Sequence, residues 1–415
     1  MFTQQDIPQV EKIAVIGVGP TGLAFISSLL EKAKSTPGKK YEITVIEKRS
    51  AEFTRWQRLV DIKPNVSWSE QSWESFINSS VRSSSADTNN IRQKFIEKFR
   101  KQESLALSRQ VIVKNVSTKE LQNALLEKIK SAKVDNVSIN WNAETKVDKI
   151  NLTEKTLITT TKSGDISPHE FDTLVVCEGA GHNGEREFVN QINRAIQDEK
   201  INVTPFHFEP FSHQLPEHNA AGLFTIKSAN QNPGFQSYLK KGYVDNFKLS
   251  RKEAAKKIMK LGWVPPSEDV TMPMYILDNN LYKGKLGVKN WKPKIFVASE
   301  IPDAIAKIND SNLKQEKIKE WLTILISYNL QLPPDYFEIV VKKNNGVDVD
   351  AISAFDTLAQ SVNYPALTLP NGAQVVLLGD CSLSSIYQAG ISSGIGLNES
   401  IVAADCIVNT KNGSK

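Results

Sequence analysis

The chain has 415 residues, 40% of them hydrophobic and 23% charged, with a net charge of +5. That length exceeds one ordinary core and predicts two sequential or interleaved domains, and the composition is that of a soluble globular protein, which argues against a disordered or fibrous chain. Three widely separated cysteines, Cys177, Cys381 and Cys406, argue against a disulfide framework or a zinc cluster, the chain start lacks a signal peptide's basic and apolar regions, and no apolar run reaches the length of a membrane span. A cytoplasmic location is expected, and the modest charge reads as a solvated face rather than a nucleic-acid surface.

The first predicted element is the strand Lys12-Ile13-Ala14-Val15-Ile16. It runs into the turn Gly17-Val18-Gly19-Pro20-Thr21-Gly22 and a helix, then a second strand over 41–46 that ends at Glu47. A strand, a three-glycine turn, a helix, a second strand and an acid at its tip form the arrangement that holds the adenosine end of a dinucleotide. Gly17 permits the tight turn, Gly19 lets the backbone approach a pyrophosphate, and Gly22 lets helix and strand pack closely. The helix start offers free N–H groups to the phosphates. A carboxylate at Glu47 accepts hydrogen bonds from ribose hydroxyls and disfavours a 2′-phosphate, so FAD or NAD is expected there rather than NADP.

Residues 61–90 read as polar and helical, with a serine-rich loop over 79–85. Ser117-Thr118-Lys119-Glu120 opens a helix with a capping box, continuing to Ile129. Short alternating strands at 137–141, 146–152 and 156–161, with a turn at Ser163-Gly164, form a hairpin-like insert. A buried strand over 171–177 follows and ends at Glu178-Gly179-Ala180-Gly181. Beyond it, strands are expected at 203–208, 222–227, 273–277 and 293–299, with a basic amphipathic helix at 251–261 and a helix at 314–330. Pro333-Pro334 begins the return to the first domain. The strand 373–378 stops at Gly379-Asp380, and Gly394-Ile395-Gly396-Leu397-Asn398 opens a last helix. The five histidines lack metal-site spacing and no Ser-His-Asp order is recognisable, so no metal and no catalytic side chain is assigned. The aromatics of the middle segment, Phe206, Phe208, Phe211, Phe224, Phe235, Tyr238 and Tyr243, read as core packing, with the lining of an apolar pocket as the alternative.

The acid-Gly-Ala end of the strand 171–177, the Gly379-Asp380 stop and the Gly394–Asn398 stretch resemble the motifs of the p-hydroxybenzoate hydroxylase superfamily of FAD-dependent monooxygenases. Two departures stand out: Glu178 replaces an Asp, and Tyr387-Gln388-Ala389 occupies the region where a proline is usual. The segment from Glu47-Lys48-Arg49 to Phe53-Thr54-Arg55, with the helix bearing Lys119, is similar to the monooxygenase domain of the MICAL-type branch, which oxidises methionine in actin.

The resemblance implies an α/β fold, a glutathione-reductase-like FAD-binding Rossmann domain over 1–186 and 331–415, with an interleaved α+β substrate domain over 187–330. It implies cofactor contacts from Gly17, Gly19, Pro20, Thr21, Gly22, Glu47, Lys48, Arg55, Lys119, Glu178, Gly179, Gly379, Asp380, Gly394, Gly396, Leu397 and Asn398. Asp380 would meet the ribityl chain, and the last helix would face the pyrimidine edge of the flavin with its N-terminal amides. The implied reaction is reduction of FAD by NADPH or NADH, capture of molecular oxygen as a C4a-hydroperoxide, and transfer of one oxygen atom to a small molecule or a protein side chain. An FAD-dependent reductase, a halogenase and a non-catalytic protein-binding module share the fold as alternatives. The Trp-x-Trp-x-Ile-Pro run of halogenases is missing.

Overall fold

The computed structural model describes residues 10–50, 59–62, 114–179, 186–210, 218–229, 232–268, 271–279, 281, 293–344, 347–358, 360–384 and 392–409. They form two compact units, one within 1–213, 359–385 and 390–415, the other within 214–358 and 386–389.

In the first unit, β1 (Val10–Ile16) buries both of its faces. Ile13 and Val15 point into one cluster and Ala14 and Ile16 into another, because side chains alternate along a strand. A strand apolar on both faces suits the middle of a parallel sheet. After β1 come α1 (Pro20–Ala33), β2 (Lys40–Ile46), α2 (Thr118–Ser131), β3 (Val137–Asn142), β4 (Thr173–Val176) and α3 (Glu187–Asp198), and near the chain end β5 (Ala366–Thr368), β6 (Gln374–Leu377) and α4 (Ser392–Asn409). The sheet order is β5-β6-β4-β1-β2-β3. All neighbours are parallel except β5, which is antiparallel to β6.

Leu23, Phe25, Ile26 and Leu29 of α1, Ile129 of α2 and Ala404, Ile407 and Val408 of α4 cover one face. Phe188, Val189, Ile192 and Ile196 of α3, with Ile150 and Leu157, cover the other. Ile150 and Leu157 belong to a three-stranded antiparallel sheet of Thr145–Asn151, Thr156–Thr161 and Ile166–Glu170. The strand expected over 137–141 does not belong to that insert. As β3 it pairs in parallel with β2, where Val137 and Ile139 pack against the α1 side of the core. Of the expected strand 203–208 only Phe208 lies in a strand, Phe208–Pro210, which pairs with Gln360–Val362.

The second unit is an antiparallel sheet centred on His218–Ile226. One edge of that strand pairs with Ile295–Glu300, which in turn pairs with Tyr275–Asn279. Its other edge is long enough for two partners: Phe337–Ile339 pairs with Phe224 to Ile226, and Ile352–Asp356 with His218 to Gly222. These two strands lie in the stretch 331–415 expected with the FAD-binding part, yet their ladders tie them to this sheet. The helix Ser311–Leu330 lies in the same core through Trp321, Leu322, Leu325 and Ile326. Trp321 is fully buried and its indole N–H donates to Ser299 Oγ at 3.2 Å, which satisfies its single polar atom. Among the described residues no helix is long and apolar enough to cross a membrane.

Candidate functional site

Gly17 after β1, Glu47 after β2, Glu178 after β4 and Gly379 after β6 all lie at the carboxyl edge of the parallel sheet. From β1 the sheet runs to β2 on one side and to β4 on the other. Open α/β sheets bind ligands beyond the carboxyl ends of their strands, at such a switch in order.

Gly17 has φ +89° and its N–H donates to the Ile46 carbonyl at 2.9 Å. A Cβ there would stand 2.7 Å from the Cys177 carbonyl oxygen, and one at Gly22 would stand 2.2 Å from the Gly17 carbonyl oxygen. Only glycine fits either position. At Gly19, by contrast, a Cβ would meet nothing within 4 Å. Gly19 is the N-cap of α1, supplies no side-chain cap, and is followed by a first turn without an acid. The open space therefore lies beside helix amides that suit an anion.

Glu47 is buried and fully engaged within the chain. Its Oε2 accepts from the Val18 N–H at 2.9 Å and from an Arg49 terminal N–H at 2.9 Å. Its Oε1 accepts from the Arg49 backbone N–H at 2.9 Å and from Arg49 Nε at 2.7 Å. A carboxylate has about four acceptor positions, so all are filled. Burial opposes ionisation of Glu47, but the Arg49 guanidinium and the Val18 amide outweigh it and hold the carboxyl below the usual range. Gln122 of α2 donates to the Val18 carbonyl at 3.3 Å, so α2 braces the glycine turn. Lys48 is exposed and 3.7 Å from the equally exposed Glu187.

The two chain ends meet at Thr21. A Cβ on Gly379, which has φ +67°, would lie 2.6 Å from Thr21 Oγ1, and so would one on Gly396, itself 3.1 Å from the Gly379 Cα. Ser400 Oγ donates to the Thr21 carbonyl at 2.9 Å. Motifs more than 350 positions apart in sequence are thus in van der Waals contact, through two glycines that leave no room for a side chain. Leu397 and Asn398 are half-buried in the same first turns of α4, and Asp380 is half-buried after Gly379. Gly394 lies in the first turn of α4. Lys119 lies in the first turn of α2. Arg55 lies outside the described residues.

Glu178 stands where an Asp is expected and works as a helix cap. Its Oε2 accepts from the Phe188 N–H and its Oε1 from the Val189 N–H, both at 3.0 Å, which satisfies two N-terminal donors of α3. Burial pushes its ionisation up, against the opposing pull of those two amides. Gly179 follows at φ +86° with open space where a Cβ would project.

Two buried residues outside the expected cofactor contacts join the site. Arg186 is 1% exposed, donates to the Asp380 carbonyl at 2.9 Å and to Ser384 Oγ at 3.3 Å, and lies 4.0 Å from the centre of the Phe208 ring. It ties the start of α3 to the Gly379-Asp380 turn, and its signal was the arginine that follows the Glu178-Gly179 motif. Glu399 is 4% exposed and accepts from the Gly379 N–H at 2.5 Å. Its signal was an acid set among apolar and small residues of α4, whose other acid, Asp405, instead pairs with Lys32.

This mixed α/β architecture with a parallel sheet is a fold shared with an FAD-dependent halogenase. Among solved structures the chain is similar to the myxobacterial chondrochloren halogenase CndH, an FAD-dependent halogenase, with a TM-score of 0.51 and 10% identity over 98% of this chain and 77% of that one. It is also similar to aklavinone-11 hydroxylase in complex with FAD and aklavinone, with a TM-score of 0.49 and 12% identity over 97% of this chain and 63% of that one. For the p-nitrophenol 4-monooxygenase PnpA from Pseudomonas putida the TM-score is 0.46, with 12% identity over 97% and 79%. At such identities likeness shows the fold alone, and the fold assignment rests on CndH. No model of a protein family matches the sequence, and no curated protein does.

Proposed function

We propose that this chain is an FAD-dependent oxidoreductase and, within that class, an NAD(P)H-dependent monooxygenase acting on an organic molecule or a protein side chain. The observation that carries the reading is the contact of Thr21 with Gly379 and Gly396, since one ligand long enough to touch both motifs explains why both crowd the same helix start. The residues present fit FAD at its diphosphate: the open space at Gly19 and the uncapped start of α1 suit an anion. Gly17, Gly19, Pro20, Thr21 and Gly22 would hold the diphosphate, with Arg55 as a further cation. Glu47 would bind the adenosine ribose once Arg49 yields two of its acceptor positions. Asp380 would take the ribityl chain, and Gly394, Gly396, Leu397 and Asn398 would face the flavin ring. Lys48, Lys119 and Gly179 complete the proposed contacts, and Glu178 shapes the strand end through α3.

Bound flavin supplies the electron and oxygen chemistry, reduced by NADPH or NADH. The chain's own task is then to bind, orient and exclude water, which agrees with the lack of an assigned catalytic side chain. The MICAL-like reading, with a protein methionine as substrate, rests on sequence resemblance, and the proposed cytoplasmic location on the three separated cysteines. Its Phe53-Thr54-Arg55 segment lies outside the described residues.

A flavin halogenase is the second reading, favoured by the likeness to CndH. The visible spectrum of the purified protein before and after anaerobic NADPH decides cofactor and donor together. A flavin spectrum bleached by NADPH supports the monooxygenase. A colourless protein that binds no added FAD refutes the class, and a bound flavin that no nicotinamide reduces refutes the monooxygenase. Product mass in an aerobic assay containing chloride and bromide separates oxygen transfer from halogenation.

A further inference from the structure

Glu399 is a buried acid that the proposed cofactor contacts do not use. Its partners form a closed ring. The Gly379 N–H donates to Glu399 Oε2 at 2.5 Å. Ser382 Oγ lies 3.0 Å from the Gly379 carbonyl oxygen and 3.0 and 3.1 Å from Glu399 Oε1 and Oε2. A serine hydroxyl has one hydrogen. The Gly379 carbonyl accepts from the Ser382 N–H at 2.9 Å and keeps a second lone pair for the hydroxyl; with the hydroxyl hydrogen there, the contact between Ser382 and Glu399 is a hydrogen bond only when the carboxyl carries a hydrogen. Around the ring Gly379 N–H then donates to Glu399, Glu399 O–H to Ser382, and Ser382 O–H to Gly379, with every group satisfied.

The groups facing Glu399 agree with this. Asp380, on the turn, is of the same sign. The buried Cys177 thiol, at the end of β4, also senses it and is itself pushed up by burial. Asp380 disfavours a second negative charge at so buried a position, and the neutral thiol supplies no compensating cation.

We propose that Glu399 is held as the neutral carboxylic acid and acts as a positioning residue, closing a hydrogen-bonded ring with Gly379 and Ser382 that fixes the Gly379-Asp380 turn for the flavin cofactor. The cofactor half of this inference rests on the FAD reading above. Loss of the proton breaks one member of the ring and sets a charge beside Asp380, and the turn opens.

Burial pushes Glu399 up to about 8, against the pull of the Gly379 amide and the Ser382 hydroxyl. An unfolded carboxyl ionises near 4.5, so between those values the unfolded chain has released a proton that the folded chain still holds. The stability that Glu399 contributes is therefore complete below about pH 4.5 and is lost as pH rises through about 8.

The test compares the full-length wild type with Glu399→Gln, whose amide repeats the ring without a titratable proton, and with Ser382→Ala, which removes one member. Without FAD, thermal unfolding of the wild type falls as pH rises from 5 to 9, whereas Glu399→Gln lacks this component. Infrared difference spectra show the C=O stretch of a protonated carboxyl at neutral pH, absent in Glu399→Gln. With FAD, the wild-type Kd rises by about thirtyfold between pH 7 and pH 9.5, as expected when only the protonated form binds. The Kd of Glu399→Gln stays within about twofold, and that of Ser382→Ala is already weakened at pH 7. Equal pH profiles for wild type and Glu399→Gln, or an ionised carboxylate at pH 7, overturn the proposal. A protein that binds no FAD at any pH overturns the FAD reading instead, and the infrared band and the unfolding profile, both measured without FAD, still decide the state of Glu399.

Discussion

Replacing Glu178 by alanine separates two roles that the same residue could hold. In the structure its carboxylate accepts from the Phe188 and Val189 amides, both at 3.0 Å, at a helix start where Phe188 is 5% and Val189 0% exposed. Glu178→Ala leaves both donors without their acceptor. Loss of a helix cap costs roughly 0.5–2 kcal/mol, and a buried donor left without a partner roughly 1–3 kcal/mol. Some of this is offset because the burial that pushes Glu178 up also costs free energy in the wild type. These are two measures of one loss, so a net local loss of about 1–3 kcal/mol follows, equivalent to roughly fivefold to a hundred-and-fiftyfold in an opening equilibrium. A two-unit chain has no single unfolding free energy, so the readout is amide hydrogen exchange across Glu187–Asp198. Those amides are expected to exchange faster by that factor, while β1 and β2 remain protected. Flavin reduction by NADPH, measured alongside, is expected to slow only in proportion to the fraction opened. Unchanged exchange together with abolished reduction would refute the capping argument and return Glu178 to the cofactor.

Further outcomes follow from other contacts. Gly22→Ala places a Cβ 2.2 Å from the Gly17 carbonyl oxygen, so the turn must shift; loss of FAD binding by fluorescence titration is expected, and native affinity would contradict the close packing. Arg49→Gln frees acceptor positions on Glu47 now held at 2.7 and 2.9 Å; FAD should bind as tightly or more so, and a tenfold loss would place Arg49 on the diphosphate instead. Because Arg49 and Val18 hold Glu47 below its usual range, its contribution is complete above about pH 4.5 and is lost as pH falls, so Glu47→Gln should flatten the acid limb of the unfolding profile. Trp321→Ala removes a fully buried indole and should cost about 3–5 kcal/mol, seen as a lower denaturant midpoint reported by the second unit.

The parallel-sheet core was legible because its signals are short-range. Ile13 to Ile16 are apolar on both faces, Gly17 needs a positive φ, and Glu47 directly follows β2. Membership of Phe337–Ile339 and Ile352–Asp356 in the second sheet was not legible, since a strand's own pattern does not name its partner; the nine-residue length of His218–Ile226 decides it. The position of β3 beside β2 was missed for the same reason.

Sequence by itself determined where the chain turns, which faces are apolar, and that an acid closes the first βαβ unit, because φ preference and side-chain alternation act within a few residues. It also singled out Gly17 to Gly22, Glu178 and Gly379-Asp380 as sites of interest. Only the tertiary structure decided what each carboxylate does. Glu47 meets Arg49, Glu178 caps α3, and Glu399 closes a ring on Gly379. The state of an acid depends on burial and on donors brought to it by folding, as when Arg186 reaches the Asp380 carbonyl from 194 positions away, and neither is written in the residues next to it.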